Sequence, residues 1–302
     1  MDHFNNREYQ TLASDLIGDI FYTSTSYRGK ISTLRQYAEI IVRKILDIDP
    51  RKEITLGDEK IRKRICTLPN HILVEKAVRK LKKKGNKTTH TQFRGVVTVE
   101  EFDIATDGLF DLLSYLLINY FERYEFGSNT SVMFSFSILP PIIRYKVLIF
   151  LYEKYPNNIS IIDKLVLSIL KACDIETAIE WIEEHKESLL QMKAYPEDLN
   201  CKIALQDPNL AEVLKYMAPP NMYYLCKDKI TQLGTTIRSN GLVYSDFESA
   251  LPYYRQIGKV QGTTQEVQEF NDIMDFLYMG RKERERICSD SDNSIMALDI
   301  IE

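Results

Sequence analysis

The sequence predicts an all-α protein, and three observations carry that prediction. Apolar residues recur at three- and four-residue spacing over long windows, strand-type alternation is confined to one possible short strand at residues 131–138, and the breaks between periodic segments hold Pro, Asn and Gly. The predicted architecture is a helical bundle followed by a second helical domain, with the boundary in the turn-rich stretch 125–131 and domains at 1–126 and 132–302.

Residues 32–46 form the first predicted helix, with Leu34, Ala38, Ile41 and Ile45 on one stripe and Pro50 beyond its end. Arg35, Glu39 and Arg43 stand four apart on the opposite side, as in exposed ion pairs worth about 0.3 kcal/mol each. A second helix is expected over residues 70–84. Leu73, Ala77, Val78 and Leu81 share its apolar face, while Lys76, Arg79, Lys80, Lys82, Lys83 and Lys84 occupy the rest. Gly85 and Asn86 are the residue types that close a helix, so the helix is expected to stop there. The strongest pattern follows. Thr98 precedes Glu101 by a capping-box spacing, and Phe102, Ala105, Leu109, Leu112, Leu113, Leu116 and Tyr120 continue it. Further helices are expected at 141–155, 161–173, 176–190, 210–217, 223–238 and 265–285, with no motif returning at a fixed period.

Composition narrows the function classes. Of 302 residues, 44% are apolar and 27% charged, and the formal charge is −4, so a nucleic-acid case must be local. Five scattered cysteines include no paired C-x-x-C spacing, His185 has no ligand partner at a useful spacing, and no metal site is expected. Walker, dinucleotide, nucleophile-elbow and zinc-protease motifs are missing, so no cofactor is expected either. The aromatics after Ser131, among them Phe134, Phe136, Tyr145, Phe150, Tyr152 and Tyr155, are mixed with Leu, Ile and Val and are assigned to packing. The amino terminus lacks signal-peptide organisation and the best apolar run, 147–152, is far short of a bilayer span, which predicts a cytoplasmic protein without a membrane partner.

The chemically loaded segment is Leu81-Lys82-Lys83-Lys84-Gly85-Asn86-Lys87-Thr88-Thr89-His90. With Arg79 and Lys80 it concentrates cations, an amide and an imidazole, which suits a phosphate-rich ligand such as RNA: lysines neutralise phosphate, and an imidazole near neutrality moves protons. Capping of a helix end by His90, and solvation of a lysine face, are the structural readings of the same residues.

Together with Leu34-Arg35-Gln36-Tyr37-Ala38-Glu39 and Leu56-Gly57-Asp58, this segment resembles the HEPN superfamily of helical domains, over residues 15–125. The nearest branch is the one often attached to restriction-endonuclease subunits. The resemblance implies RNA binding, a phage-defence setting with a partner protein, and a homodimer. Catalytic HEPN members are metal-independent endoribonucleases that use an arginine, a neighbouring polar residue and a histidine from each of two subunits. Matched by position, His90 takes the proton-transfer role and Asn86 orients the phosphate, with Arg79, Lys80, Lys82, Lys83, Lys84 and Lys87 as the binding surface; the arginine position holds Gly85. A glycine cannot stabilise transition-state charge. The alternative is a catalytically silent helical interaction module, a scaffold in a defence or restriction complex. A second arginine-to-histidine spacing, Arg64 to His71, contains Pro69 and is set aside as chance.

Overall fold

The computed structural model describes residues 7–49, 51–89 and 95–283, with the backbone alone at 83–89 and at eight positions between 198 and 215. Among these residues all regular structure is helical, as the periodicity predicts. In chain order the helices are α1 Arg7–Ile17, α2 Tyr27–Leu46, α3 Glu59–Ile65, α4 His71–Thr89, α5 Val99–Phe121, α6 Thr130–Ser137, α7 Pro141–Lys154 and α8 Ile159–Ala172. They continue as α9 Ile175–Glu184, α10 Lys186–Gln191, α11 Glu197–Gln206, α12 Pro208–Met217, α13 Met222–Asn240, α14 Phe247–Tyr253 and α15 Gln265–Tyr278. Single π-helical turns follow α1, at Gly18–Tyr22, and α14, at Tyr254–Gly258. None of the described helices is long and apolar enough to cross a membrane.

Side-chain caps set where many helices begin. Ser26, Asp58, Thr98, Asn129, Asn158, Asp174, Asn221 and Thr264 each accept a hydrogen bond from a backbone N–H two or three residues on, an interaction worth about 1 kcal/mol apiece. The Ser26 cap explains why α2 starts five residues before the predicted helix start at residue 32. The Asn129 cap bears on a correction: the stretch expected as a strand at 131–138 is helix α6. Eight residues of mixed apolar pattern fit either period, and here a capped turn decides for the helix.

The chain divides into two compact units, one joining residues up to Leu139 with the returning segment from Phe247, the other spanning Pro140–Asp246. The sequence-based division at 126/132 is linear, whereas the first unit recruits a distant segment. That segment packs through Phe270, 5.3 Å from Tyr120, next to which Phe121, Phe126 and Phe136 meet edge-on at 4.8–5.5 Å. The Tyr278 hydroxyl donates to the Ile138 carbonyl at 3.1 Å.

The centre of the first unit is the mutual packing of α2, α4 and α5. Leu34, Tyr37, Ala38 and Ile41 of α2 meet Val74, Ala77 and Leu81 of α4 and Ala105, Leu109, Leu112 and Leu113 of α5, all buried. Gly108 allows α4 and α5 to approach closely, since a Cβ there would lie 3.0 Å from Lys80 Cβ and 3.1 Å from the Ala77 carbonyl oxygen. The row Arg35, Glu39, Arg43 is not the exposed ladder that its spacing suggests. Glu39 is half-buried and accepts from the Leu56 amide at 3.4 Å, and Arg43 donates to the Lys52 carbonyl at 3.0 Å. The row therefore ties the connection after α2 back onto that helix. Burial raises the Glu39 pKa, and the Leu56 amide and the two arginines oppose the rise.

The carboxy-terminal segment ends its described course inside this unit. Gly280 adopts φ +76°, and a Cβ there would lie 2.6 Å from the Ser14 amide of α1, so only glycine fits. The next residue, Arg281, has a side chain 2% exposed. Its Nη1 donates to Glu248 Oε1 at 3.0 Å, and its guanidinium lies 4.4 Å from the Phe247 ring centroid and 5.1 Å from that of Phe21. Tyr22 donates to the same Glu248 oxygen at 2.6 Å and accepts from the Lys282 amide at 3.2 Å. Burial and the Glu248 bond push the Tyr22 hydroxyl up to about 12. Tyr37, fully buried, faces Arg281 outside hydrogen-bonding geometry. The π turn presents Phe21 and Tyr22 to this cluster.

In the second unit α8 is the central element: Ile161, Ile162, Leu165, Val166 and Ile169 are buried, and α7, α9 and α13 pack on it. The expected helix 176–190 is two helices broken at His185. That histidine is half-buried rather than solvated, stacked 4.2 Å from Trp181 with Nδ1 2.8 Å from the Trp181 carbonyl. The last expected helix ends at Tyr278 instead of residue 285, because left-handed Gly280 turns the chain. Residues 284–302 lie outside the described residues.

Removing one partner of a buried ion pair strands the other. Arg281→Ala or Glu248→Ala alone is expected to lower stability by about 3–5 kcal/mol, while Arg281→Met combined with Glu248→Leu recovers most of the loss. Urea denaturation of the four proteins checks this.

Candidate functional site

The chain concentrates its positive charge on α3 and α4. Between Arg51 and Thr89 stand thirteen basic and four acidic residues, in a chain whose formal charge is −4. Structure places eleven of the basic and two of the acidic residues on two neighbouring antiparallel helices. The Cys66 thiol donates to Glu75 Oε1 at 3.1 Å, at one end of the seam. At the other end Lys82 acts electrostatically on Glu59, and its Cε lies 4.0 Å from where a Gly57 Cβ would stand. The rows Glu59–Arg62–Cys66 and Glu75–Arg79–Lys82 thus run side by side in opposite directions.

Within this surface the charges differ in their engagement. Arg62 grips Glu59 through two hydrogen bonds, at 2.9 and 2.8 Å, and holds that carboxyl below its ordinary range. Arg64 is tied by donation to the Leu46 carbonyl. The Glu75 hydrogen bond pushes the Cys66 thiol up, which favours its neutral, donating form. Lys60, Lys63, Lys76 and Arg79 are exposed, and Lys82 is half-exposed. Among the described side chains of the two helices, these five are the ones offered to an external anion.

Lys80 belongs to a different interaction. Its Nζ lies 2.5 Å from Asp107 and 2.6 Å from Asp111, both on α5. Burial works to lower its pKa, but the two carboxylates outweigh burial and hold the ammonium above its ordinary value. Its charge joins two helices and is already compensated. The sequence reading counted Lys80 with the binding lysines because its acidic partners lie 27 and 31 residues away.

The expected closure of α4 at Gly85-Asn86 does not occur, and the helix runs on to Thr89. A helical glycine costs about 1 kcal/mol relative to alanine, and the lysines around it are good helix formers. The continuation carries positions 83, 84, 86 and 87 along the same rod as Arg79 and Lys82. The side chains of Lys83, Lys84, Asn86 and Lys87 lie outside the described residues, as does His90 in full. Among the described residues no group of three His, Cys, Asp or Glu is placed to hold a metal.

Sequence reasoning missed α3. Its signal was present as Asp58 capping Glu59-Lys60-Ile61-Arg62-Lys63-Arg64-Ile65, but seven residues hold only two apolar anchors, Ile61 and Ile65, too few to declare a period. Comparison of the chain with family models, with curated proteins and with solved structures finds no match to any of them.

Because Gly85 sits inside a helix and not at a left-handed cap, Gly85→Ala is expected to raise stability by about 0.5–1 kcal/mol, and a lowered melting temperature would contradict the continuous helix. Lys80→Met is expected to lower stability while changing affinity for polyanions little, which paired thermal melts and binding titrations measure.

Proposed function

We propose that the chain is a HEPN-like RNA-binding protein whose α3–α4 face holds the phosphate backbone. The observation that carries this reading is the antiparallel pairing of two basic helices, on which Lys60, Lys63, Lys76, Arg79 and Lys82 are exposed or half-exposed in an otherwise acidic chain. Helices at this spacing present cations along a track, and a polyanion gains affinity by releasing its condensed counterions to such a track. The mutual packing of α2, α4 and α5 supports the helical-bundle part of the reading. Dimerisation and a protein partner in a phage-defence complex belong to it through the HEPN resemblance.

Binding, rather than cleavage, is the activity assigned. Gly85 occupies the position where a ribonuclease of this kind needs an arginine, and the loss of a transition-state cation is worth roughly 3 kcal/mol. Should RNA be cut in excess chelator, His90→Ala tests whether that imidazole moves the proton.

Titration of fluorescent RNA at rising salt is expected to give a log–log slope that steepens with each phosphate contact, by about 0.7 per contact for single strands. Replacing Lys60, Lys63, Arg79 and Lys82 together by alanine is expected to flatten that slope and weaken binding at least tenfold. No binding at low salt would retire the RNA reading in favour of a silent interaction module.

A further inference from the structure

The end of the bundle where α4 terminates carries more than charge. The α4–α5 hairpin is registered by Lys80 against Asp107 and Asp111 and by the contact at Gly108. At 1.5 Å per residue, Phe102 lies about 9 Å from Gly108 toward the start of α5, and position 86 lies about 9 Å from Lys80 toward the end of α4, which brings the two to one level. At that level α2 also begins. Its first residue, Tyr27, is 40% exposed, and its ring centroid lies 5.6 Å from that of Phe102 at an interplanar angle of 34°. Lys30 Nζ stands 5.8 Å over the Phe102 ring, and Arg28 donates to the Gly95 carbonyl at 2.9 Å, fastening the approach to α5.

Two half-open rings interleaved with cations beside a lysine-rich helix is the chemistry that takes unstacked bases. The rings do not complete a core. Val96 and Val99, at the approach to and first residue of α5, are themselves exposed. The carboxylates of the first turn of α5, Glu100 and Glu101, suit the positive amino end of that helix and repel phosphate, so a strand approaching here must keep its backbone on the α4 side and turn its bases toward Tyr27 and Phe102. A duplex, with its bases stacked inside, gains nothing from such a surface.

We propose that Tyr27 and Phe102 form a base-stacking platform, so that the RNA bound by this protein is single-stranded. The inference rests on the RNA-binding reading and deepens it. Fluorescence anisotropy with a single-stranded RNA and a duplex of equal length tests it on the full chain. The wild type is expected to prefer the single strand, Tyr27→Ala to weaken that binding about tenfold with the duplex affinity unchanged, and Tyr27→Phe to retain it. Phe102→Leu, which keeps apolar bulk where a ring is lost, is expected to weaken single-strand binding as well. Unchanged single-strand affinity in both Tyr27→Ala and Phe102→Leu, alongside loss in Arg79→Ala/Lys82→Ala, overturns the platform and leaves RNA binding standing. Equal wild-type affinity for the two RNAs overturns it too, and no binding of either RNA by the wild type overturns both readings.

Discussion

Close approach of α4 and α5 is the constraint on which the first unit depends. Gly108 permits it, and Lys80 reinforces it by lying between Asp107 and Asp111 at the edge of the contact. With that hairpin set, α2 packs into the groove along Tyr37, Ala38 and Ile41. Its register then determines which ends of the three helices meet. The amino ends of α2 and α5 come together with the carboxyl end of α4, which is why aromatic residues from two helices meet at that end of the bundle.

A second constraint closes the unit from far along the chain. Arg281 is buried against Glu248, Phe21 and Phe247, so the segment after α15 stays against α1 and the π turn that follows it. A guanidinium with little solvent contact is tolerable only where its charge is matched, and Glu248 matches it while also accepting from Tyr22. Gly280 is the backbone condition for the same arrangement, since any side chain would strike α1.

Charge on this protein is sorted by tertiary structure more than by composition. The lysine run on α4 reads as one continuous basic surface, yet Lys80 is consumed in holding α5, and α3 supplies Lys60 and Lys63 in its place. The exposed and half-exposed cations that remain are spread across two helices.

Helical class, the apolar faces of α2, α4 and α5, the capping of α5 by Thr98 and the presence of a basic segment near Lys82 were all legible in the amino-acid order, because each depends on residues within one or two turns of one another. Three things were not. Which lysine is spent on a carboxylate and whether residues 247–283 join the first unit depend on partners 27 to 260 residues distant, and whether Gly85 ends α4 turns on a balance of about 1 kcal/mol between the cost of glycine and the propensity of its neighbours. Residues 131–138 were ambiguous for a related reason, since eight residues suit two periods until a cap and an aromatic cluster select one. Local spacing therefore determined the helices and the existence of a basic helix, while the basic face itself was decided by close packing, which pairs some charges across helices and leaves others to solvent.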